Sequence, residues 1–124
     1  MFEISIKSNF CGAHRLDGYD GPCANVHGHN WEVEAYFRGN RLNRLGMLVD
    51  FRIIKDLLHK ILAEMDHHDL NKLPCFKKEN PTSENIAKFI FNELSQKIKA
   101  DCRLHRVRVS ESPGSSATYE PNLA

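Results

Sequence analysis

The sequence predicts an α+β domain: an antiparallel four-stranded sheet with two helices packed on one face, in the order β-β-α-α-β-β. Three observations lead to it. Alternating apolar and polar residues mark strands toward both ends of the chain. Two apolar stripes at helical spacing occupy the middle. Segments rich in Gly, Pro and Asn separate these runs.

The first strand is predicted from Phe2, Ile4 and Ile6 alternating with Glu3, Ser5 and Lys7. Residues 15–26, with Gly18, Gly21 and Pro22, read as a loop. In the second strand Trp31, Val33, Ala35 and Phe37 share the face expected to meet the helices, opposite Glu32, Glu34, Tyr36 and Arg38. Residues 39–46 read as a turn region, and Met47 to Val49 as a brief pairing segment. Asp50 is the expected N-cap of a helix from Phe51 to about Met65, with Ile54, Leu57, Leu58, Ile61, Leu62 and Met65 on its apolar face. A second helix is expected to start within ENPTSEN, with Thr82 or Ser83 as its cap, and to run to about Lys99, with Ile86, Ala87, Ile90, Phe91, Leu94 and Ile98 on its apolar stripe. Strands over Leu104 to Glu111 and Ala117 to Tyr119 flank the turn SPGSS. A sheet this small leaves edges that invite pairing with another subunit.

At 124 residues the chain is the size of one domain, 1–124, with no linker, low-complexity tract or internal repeat. It is 41% hydrophobic and 27% charged, ordinary for a soluble globular protein. A net charge of +1 gives no argument for a nucleic-acid or anionic-membrane surface, and neither partner is expected. No apolar run is long enough to span a membrane. The start MFEISIKSNF lacks the basic start and apolar stretch of a signal peptide. The four cysteines, Cys11, Cys23, Cys75 and Cys102, are scattered, which favours free thiols in a reducing cytoplasm.

Four groups of residues carry potential chemistry. In H-G-H, strand periodicity sends His27 and His29 to one side, where both can reach one metal ion. His14, after FCGA, is a candidate third ligand; three His with an open fourth position is a catalytic-zinc pattern. The plainer reading is a turn with two surface imidazoles. Cys23, four residues before His27, is either the fourth ligand of a closed structural site or a reactive thiol, because a bound cation nearby favours thiolate. Asp66-His67-His68-Asp69 lies where the first helix ends. Asp66 can orient an imidazole for acid/base work, or the histidines simply suit the helix C-terminus. Glu111 ends the strand face of His105, Val107 and Val109; it either awaits paired N–H donors or lies exposed beyond the strand.

The motifs F-C-G-A-H (10–14), C-A-N-V-H-G-H-N-W (23–31), G-M-L-V-D-F (46–51), D-H-H-D-L-N (66–71), P-T-S-E-N (81–85) and V-S-E-S-P (109–113) resemble, together and in order, the 6-pyruvoyl-tetrahydropterin synthase / 6-carboxy-tetrahydropterin synthase family. The resemblance covers essentially the whole chain and implies that family's tunnelling fold, or T-fold. It implies Zn2+ held by His14, His27 and His29, Cys23 as catalytic thiol, and Asp66 and His67 as acid/base partners. Glu111 would anchor the pterin through its amide N–H and 2-amino group, with Thr82 and Ser83 at the same pocket. The implied substrate is 7,8-dihydroneopterin triphosphate. The implied assembly is a homo-oligomer, a hexamer or tetramer, with active sites between subunits.

The compact C-x-x-x-H-G-H and the ending E-S-P-G-S-S-A-T-Y resemble the carboxy branch, which also releases acetaldehyde on the way to queuosine-type 7-deazapurines. The pyruvoyl branch, which only eliminates triphosphate, is the alternative. A zinc-stabilised binding module without turnover is a reading from another class. Cys11 departs from the small residues usual at its position in the family. Arg15, Lys72, Lys77 and Lys78 are candidate triphosphate contacts.

Overall fold

The computed structural model describes residues 1–98 and 101–121. Strand β1, Phe2–His14, is followed by β2, His27–Gly39; helix α1, Phe51–Ala63; the two-residue β3, His68–Asp69; helix α2, Ser83–Lys97; β4, Arg103–Ser112; and β5, Ser115–Tyr119. The sheet order is β3-β1-β2-β4-β5. The sheet therefore has five strands, and it is mixed: β3 runs parallel to β1 through Gly12 and Ala13, while the other pairings are antiparallel.

Alternation buries one sheet face completely. Trp31, Val33, Ala35 and Phe37 of β2 are fully buried, as are Val107 and Val109 of β4, and Ile6 and Phe10 of β1 join them. The helices cover this face with Ile54, Leu58, Ile61 and Leu62 from α1 and Ile86, Ala87, Ile90, Phe91 and Leu94 from α2. Each Val, Leu, Ile or Phe side chain among them removed from water contributes roughly 1.5–3 kcal/mol. The opposite face is polar and holds ion pairs such as Arg38–Glu3 at 2.7 Å, and the Arg106 guanidinium lies 3.9 Å over the Tyr36 ring.

Asp50 caps α1 as expected, accepting from the Arg52 N–H at 2.9 Å. Thr82, not Ser83, caps α2: its hydroxyl accepts from the Asn85 N–H at 3.1 Å. Helix α1 ends at Ala63, two residues before the expected Met65, yet Met65 is still fully buried in the turn that follows. The expected end of the second helix near Lys99 lies outside the described residues. Met47 to Val49 form no strand; the Met47 carbonyl instead accepts from the Asn43 N–H within a loop.

The structure also corrects the face assigned to His105. Pairing between β2 and β4 slips between Tyr36 and Phe37, so that Leu104 opposes Phe37 and Arg106 opposes Tyr36. This bulge breaks simple alternation. Leu104 takes the core position, and His105 pairs instead with Glu120 at 2.9 Å.

Candidate metal centre and its surroundings

β1 and β2 are in register so that His14 opposes His27 and Gly12 opposes His29. The pairing gathers the three imidazoles: ring centroids lie 4.5 Å apart for His14–His27, 5.3 Å for His14–His29 and 4.9 Å for His27–His29. One potential ligand atom from each lies within 4.8 Å of the other two. The buried Trp31 ring backs the cluster, 5.0 Å from His14 and 5.2 Å from His29.

Hydrogen bonds set which nitrogens remain bare. His14 Nδ1 lies 2.7 Å from the Pro81 carbonyl, and His27 Nδ1 lies 2.8 Å from the Asn25 carbonyl. A carbonyl only accepts, so Nδ1 carries the proton in both rings and Nε2 keeps a lone pair. His14 is 2% exposed, and its Nε2 is buried without a hydrogen-bond partner. Burial, reinforced by the neighbouring His27 and His29, pushes the His14 pKa down and keeps the ring neutral. Leaving such an atom unpaired costs roughly 1–3 kcal/mol. A metal ion relieves that cost, and carbonyl-tethered neutral imidazoles are what zinc uses. The donor set therefore fits zinc with a position left open.

Glu111 adjoins this cluster. Pairing of β4 with β5 skips from Ser110–Ser116 to Ser112–Ser115, leaving Glu111 as the bulged residue. Its Oε2 lies 3.7 Å from His29 Nε2. The carboxylate thus lies within the strand, beside the imidazoles, and not beyond the strand end. Bulges that re-aim a side chain are common next to active sites.

Cys23 sits half-buried in a short 3-10 turn, Pro22–Ala24, and its carbonyl accepts from the Leu16 N–H at 2.8 Å. It does not join the three-histidine cluster. Asp66 and His67 form a second group. Asp66 Oδ1 accepts from the Cys11 N–H at 2.9 Å, and Oδ2 lies 3.0 Å from His67 Nδ1. These two bonds, the Cys11 N–H first, hold the Asp66 carboxyl below its ordinary pKa. His67 has φ 60, left-handed and uncommon for a residue other than glycine, and its N–H donates to the Cys11 carbonyl at 2.6 Å. The third member of this group is the Cys11 thiol, not Cys23. His68 Nδ1 donates to the Asp66 carbonyl at 2.7 Å and belongs to neither cluster.

Two asparagines escaped the sequence reading. Asn71 accepts from the Arg15 N–H at 2.8 Å and donates to the Arg15 carbonyl at 3.0 Å. Asn80 treats Asp17 the same way, at 3.0 Å in both directions. These side chains mimic a neighbouring strand and fix the chain between His14 and the Cys23 loop. Their positions in D-H-H-D-L-N and just before P-T-S-E-N were the available signal. Of the basic candidates, Arg15 pairs with Asp17 at 2.9 Å, and Lys77 and Lys78 line a separate groove between Pro74 and Asn92.

A helix-backed sheet with three metal-ready imidazoles at the β1–β2 end defines a T-fold domain of the pterin-synthase class. The chain belongs to the 6-pyruvoyl tetrahydropterin synthase family, whose sequence profile matches residues 3–122. It is 38% identical over 109 residues to an Archaeoglobus fulgidus protein provisionally named 6-carboxy-5,6,7,8-tetrahydropterin synthase, covering 88% of this chain and 87% of that one. It is 34% identical over 130 residues to the 6-carboxy-5,6,7,8-tetrahydropterin synthase of Synechocystis, covering 100% and 98%. The structure of Caenorhabditis elegans 6-pyruvoyl tetrahydropterin synthase superposes with a TM-score of 0.89 at 28% identity, covering 98% of this chain and 96% of that one. No described helix is long and apolar enough to cross a membrane.

Proposed function

We propose that this chain is a zinc-dependent lyase that takes up water and converts 7,8-dihydroneopterin triphosphate to 6-carboxy-5,6,7,8-tetrahydropterin, releasing triphosphate and acetaldehyde. The observation that carries the reading is the Glu111 carboxylate beside a three-imidazole cluster whose His14 Nε2 is bare and buried. A pterin anchor and a metal centre then share one site. The compact spacing from Cys23 to His27 and the two relatives named for the carboxy product support that branch.

His14, His27 and His29 hold the ion. When bound, zinc supplies a Lewis acid that acidifies carbon–hydrogen bonds next to the substrate's side-chain oxygens. Glu111 accepts from the pterin amide N–H and 2-amino group and sets the ring's orientation. Ser83 and Thr82 contribute to the same pocket; the Thr82 hydroxyl already serves as a helix cap, and its N–H and carbonyl are bonded to the Asn80 carbonyl and the Ile86 N–H. The Cys23 thiolate removes a side-chain proton, and His67, oriented by Asp66, delivers or removes a proton on the other face.

Cys23 falls outside the Asp66–His67 group of the same chain. That separation supports a homo-oligomer, a hexamer or tetramer, and the scattered free thiols favour the cytoplasm. In the oligomer one subunit's Cys23 would meet the partner subunit's acid/base pair. The whole of 1–124 would act as one T-fold unit in this assembly.

Two further readings are open to the same test. The superposition on the C. elegans enzyme favours a pyruvoyl-type product as the alternative within the enzymes. A zinc-stabilised binding module predicts no turnover. Release of both triphosphate and acetaldehyde by protein loaded with one zinc per chain, lost in Cys23→Ala with zinc retained, supports the proposed lyase; triphosphate without acetaldehyde supports the pyruvoyl alternative, and zinc retention without turnover in the unaltered protein overturns both.

A further inference from the structure

The Cys11–Asp66–His67 group supplies three different donors outside the histidine centre. Its thiol sulfur, carboxylate oxygen and imidazole nitrogen lie within 4.8 Å of one another. Asp66 Oδ2 and His67 Nδ1 are already 3.0 Å apart, and the Cys11 thiol donates to Asn30 Oδ1 at 2.7 Å. Cys11 and His67 line a surface cavity together with His29, Asn30, His68 and Asp69, so an ion reaches the thiol and the imidazole from solvent, with Asp66 at its edge through His67.

We infer that Cys11, Asp66 and His67 form a second metal site, selective for thiophilic divalent ions such as Zn2+ and Cd2+. Three physical points carry it. First, bond lengths of about 2.0–2.3 Å place tetrahedral ligand atoms roughly 3.3–3.8 Å apart. Closing from the 4.8 Å limit takes about 1 Å of side-chain rotation, and the His67 side chain, 78% exposed, is free to make it. Second, charge balances. Cys11 gives up its thiol proton to solvent as the metal–sulfur bond forms, the His67 proton facing Asp66 moves to the ring's other nitrogen if Nδ1 ligates, and thiolate plus carboxylate neutralise a divalent ion, with no change of oxidation state. The three neutral imidazoles of the first centre leave the ion its full charge. Third, the donor types differ: a thiolate favours soft and borderline ions over Mg2+ and Ca2+.

The inference does not depend on the reaction proposed for the chain. It has a consequence for that reaction, because the second ion occupies the same Asp66 and His67 that would move protons.

The test uses the full chain, first stripped of metal and then titrated with Cd2+. Two readouts are followed: bound equivalents per chain, and the ultraviolet thiolate-to-cadmium charge-transfer band. Two equivalents are expected, the weaker one bringing the thiolate band. Cys11→Ser should lose one equivalent and that band, whereas Cys75→Ser, at an exposed thiol in a separate groove, should keep both. Mapping of thiol alkylation by mass spectrometry gives a check without a variant, since the second equivalent should protect Cys11. A single equivalent in the unaltered protein, or a second equivalent and band that persist in Cys11→Ser, overturns the site. Triphosphate release is not read in this experiment, so its outcome is separate from that of the proposed lyase.

Discussion

The carboxylate of Glu111 lies 3.7 Å from Nε2 of His29, on neighbouring strands, at a bulge that leaves Glu111 without a partner in β5. A ligand bound through Glu111 is therefore held against the imidazole cluster. Glu111→Gln keeps the shape and removes the charge. Hydrogen bonds to a charged group contribute about 1.5–3 kcal/mol. The KM for the pterin substrate should rise roughly 10–100-fold by steady-state kinetics, with zinc content unchanged.

His14 reaches the metal position already tethered to the Pro81 carbonyl. Loss even of an outer partner of a metal ligand costs about 10–100-fold in affinity, and loss of the ligand itself more. His14→Ala should weaken zinc binding by more than about 100-fold. Competition with a chromophoric chelator reads this, and circular dichroism checks that the fold persists.

Cys23 lies outside the histidine cluster. Cys23→Ala should keep zinc and lower kcat by about 10²–10⁴-fold, the range for a lost acid/base group. A collapse of zinc affinity would instead make Cys23 a ligand.

The Asp66 carboxyl is held below its ordinary 3.8 by the Cys11 N–H and His67. The folded state therefore binds fewer protons at this site than the unfolded chain. Its stabilising contribution is complete above 3.8 and is lost as pH falls through the lowered folded value. In an acid titration of the metal-free protein, the Cys11 amide resonance should shift below pH 3.8 and not at it. In Asp66→Asn that step should vanish.

Local signals carried most of the fold. Alternation marks β1 and β2 because one sheet face is wholly buried, and Asp50 and Thr82 announce their helices because capping is a local bond. What escaped is tertiary. β3 is two residues long and exists only because Gly12 and Ala13 offer an edge. The β4 bulge that moves His105 out of the core depends on register with β2. Among the candidate site residues, the histidine cluster was legible because H-x-H periodicity is local. The Cys11–Asp66 contact was not, since it joins residues 55 positions apart.

The pterin product distinguishes the proposed reaction from its alternatives. Protein loaded with one equivalent of zinc per chain, so that only the tighter site is filled, should be incubated with 7,8-dihydroneopterin triphosphate and the pterin identified by mass spectrometry. A 6-carboxy pterin formed with acetaldehyde is the predicted result. A 6-pyruvoyl pterin without acetaldehyde would contradict the carboxy assignment, and unchanged substrate with zinc still bound would contradict catalysis altogether.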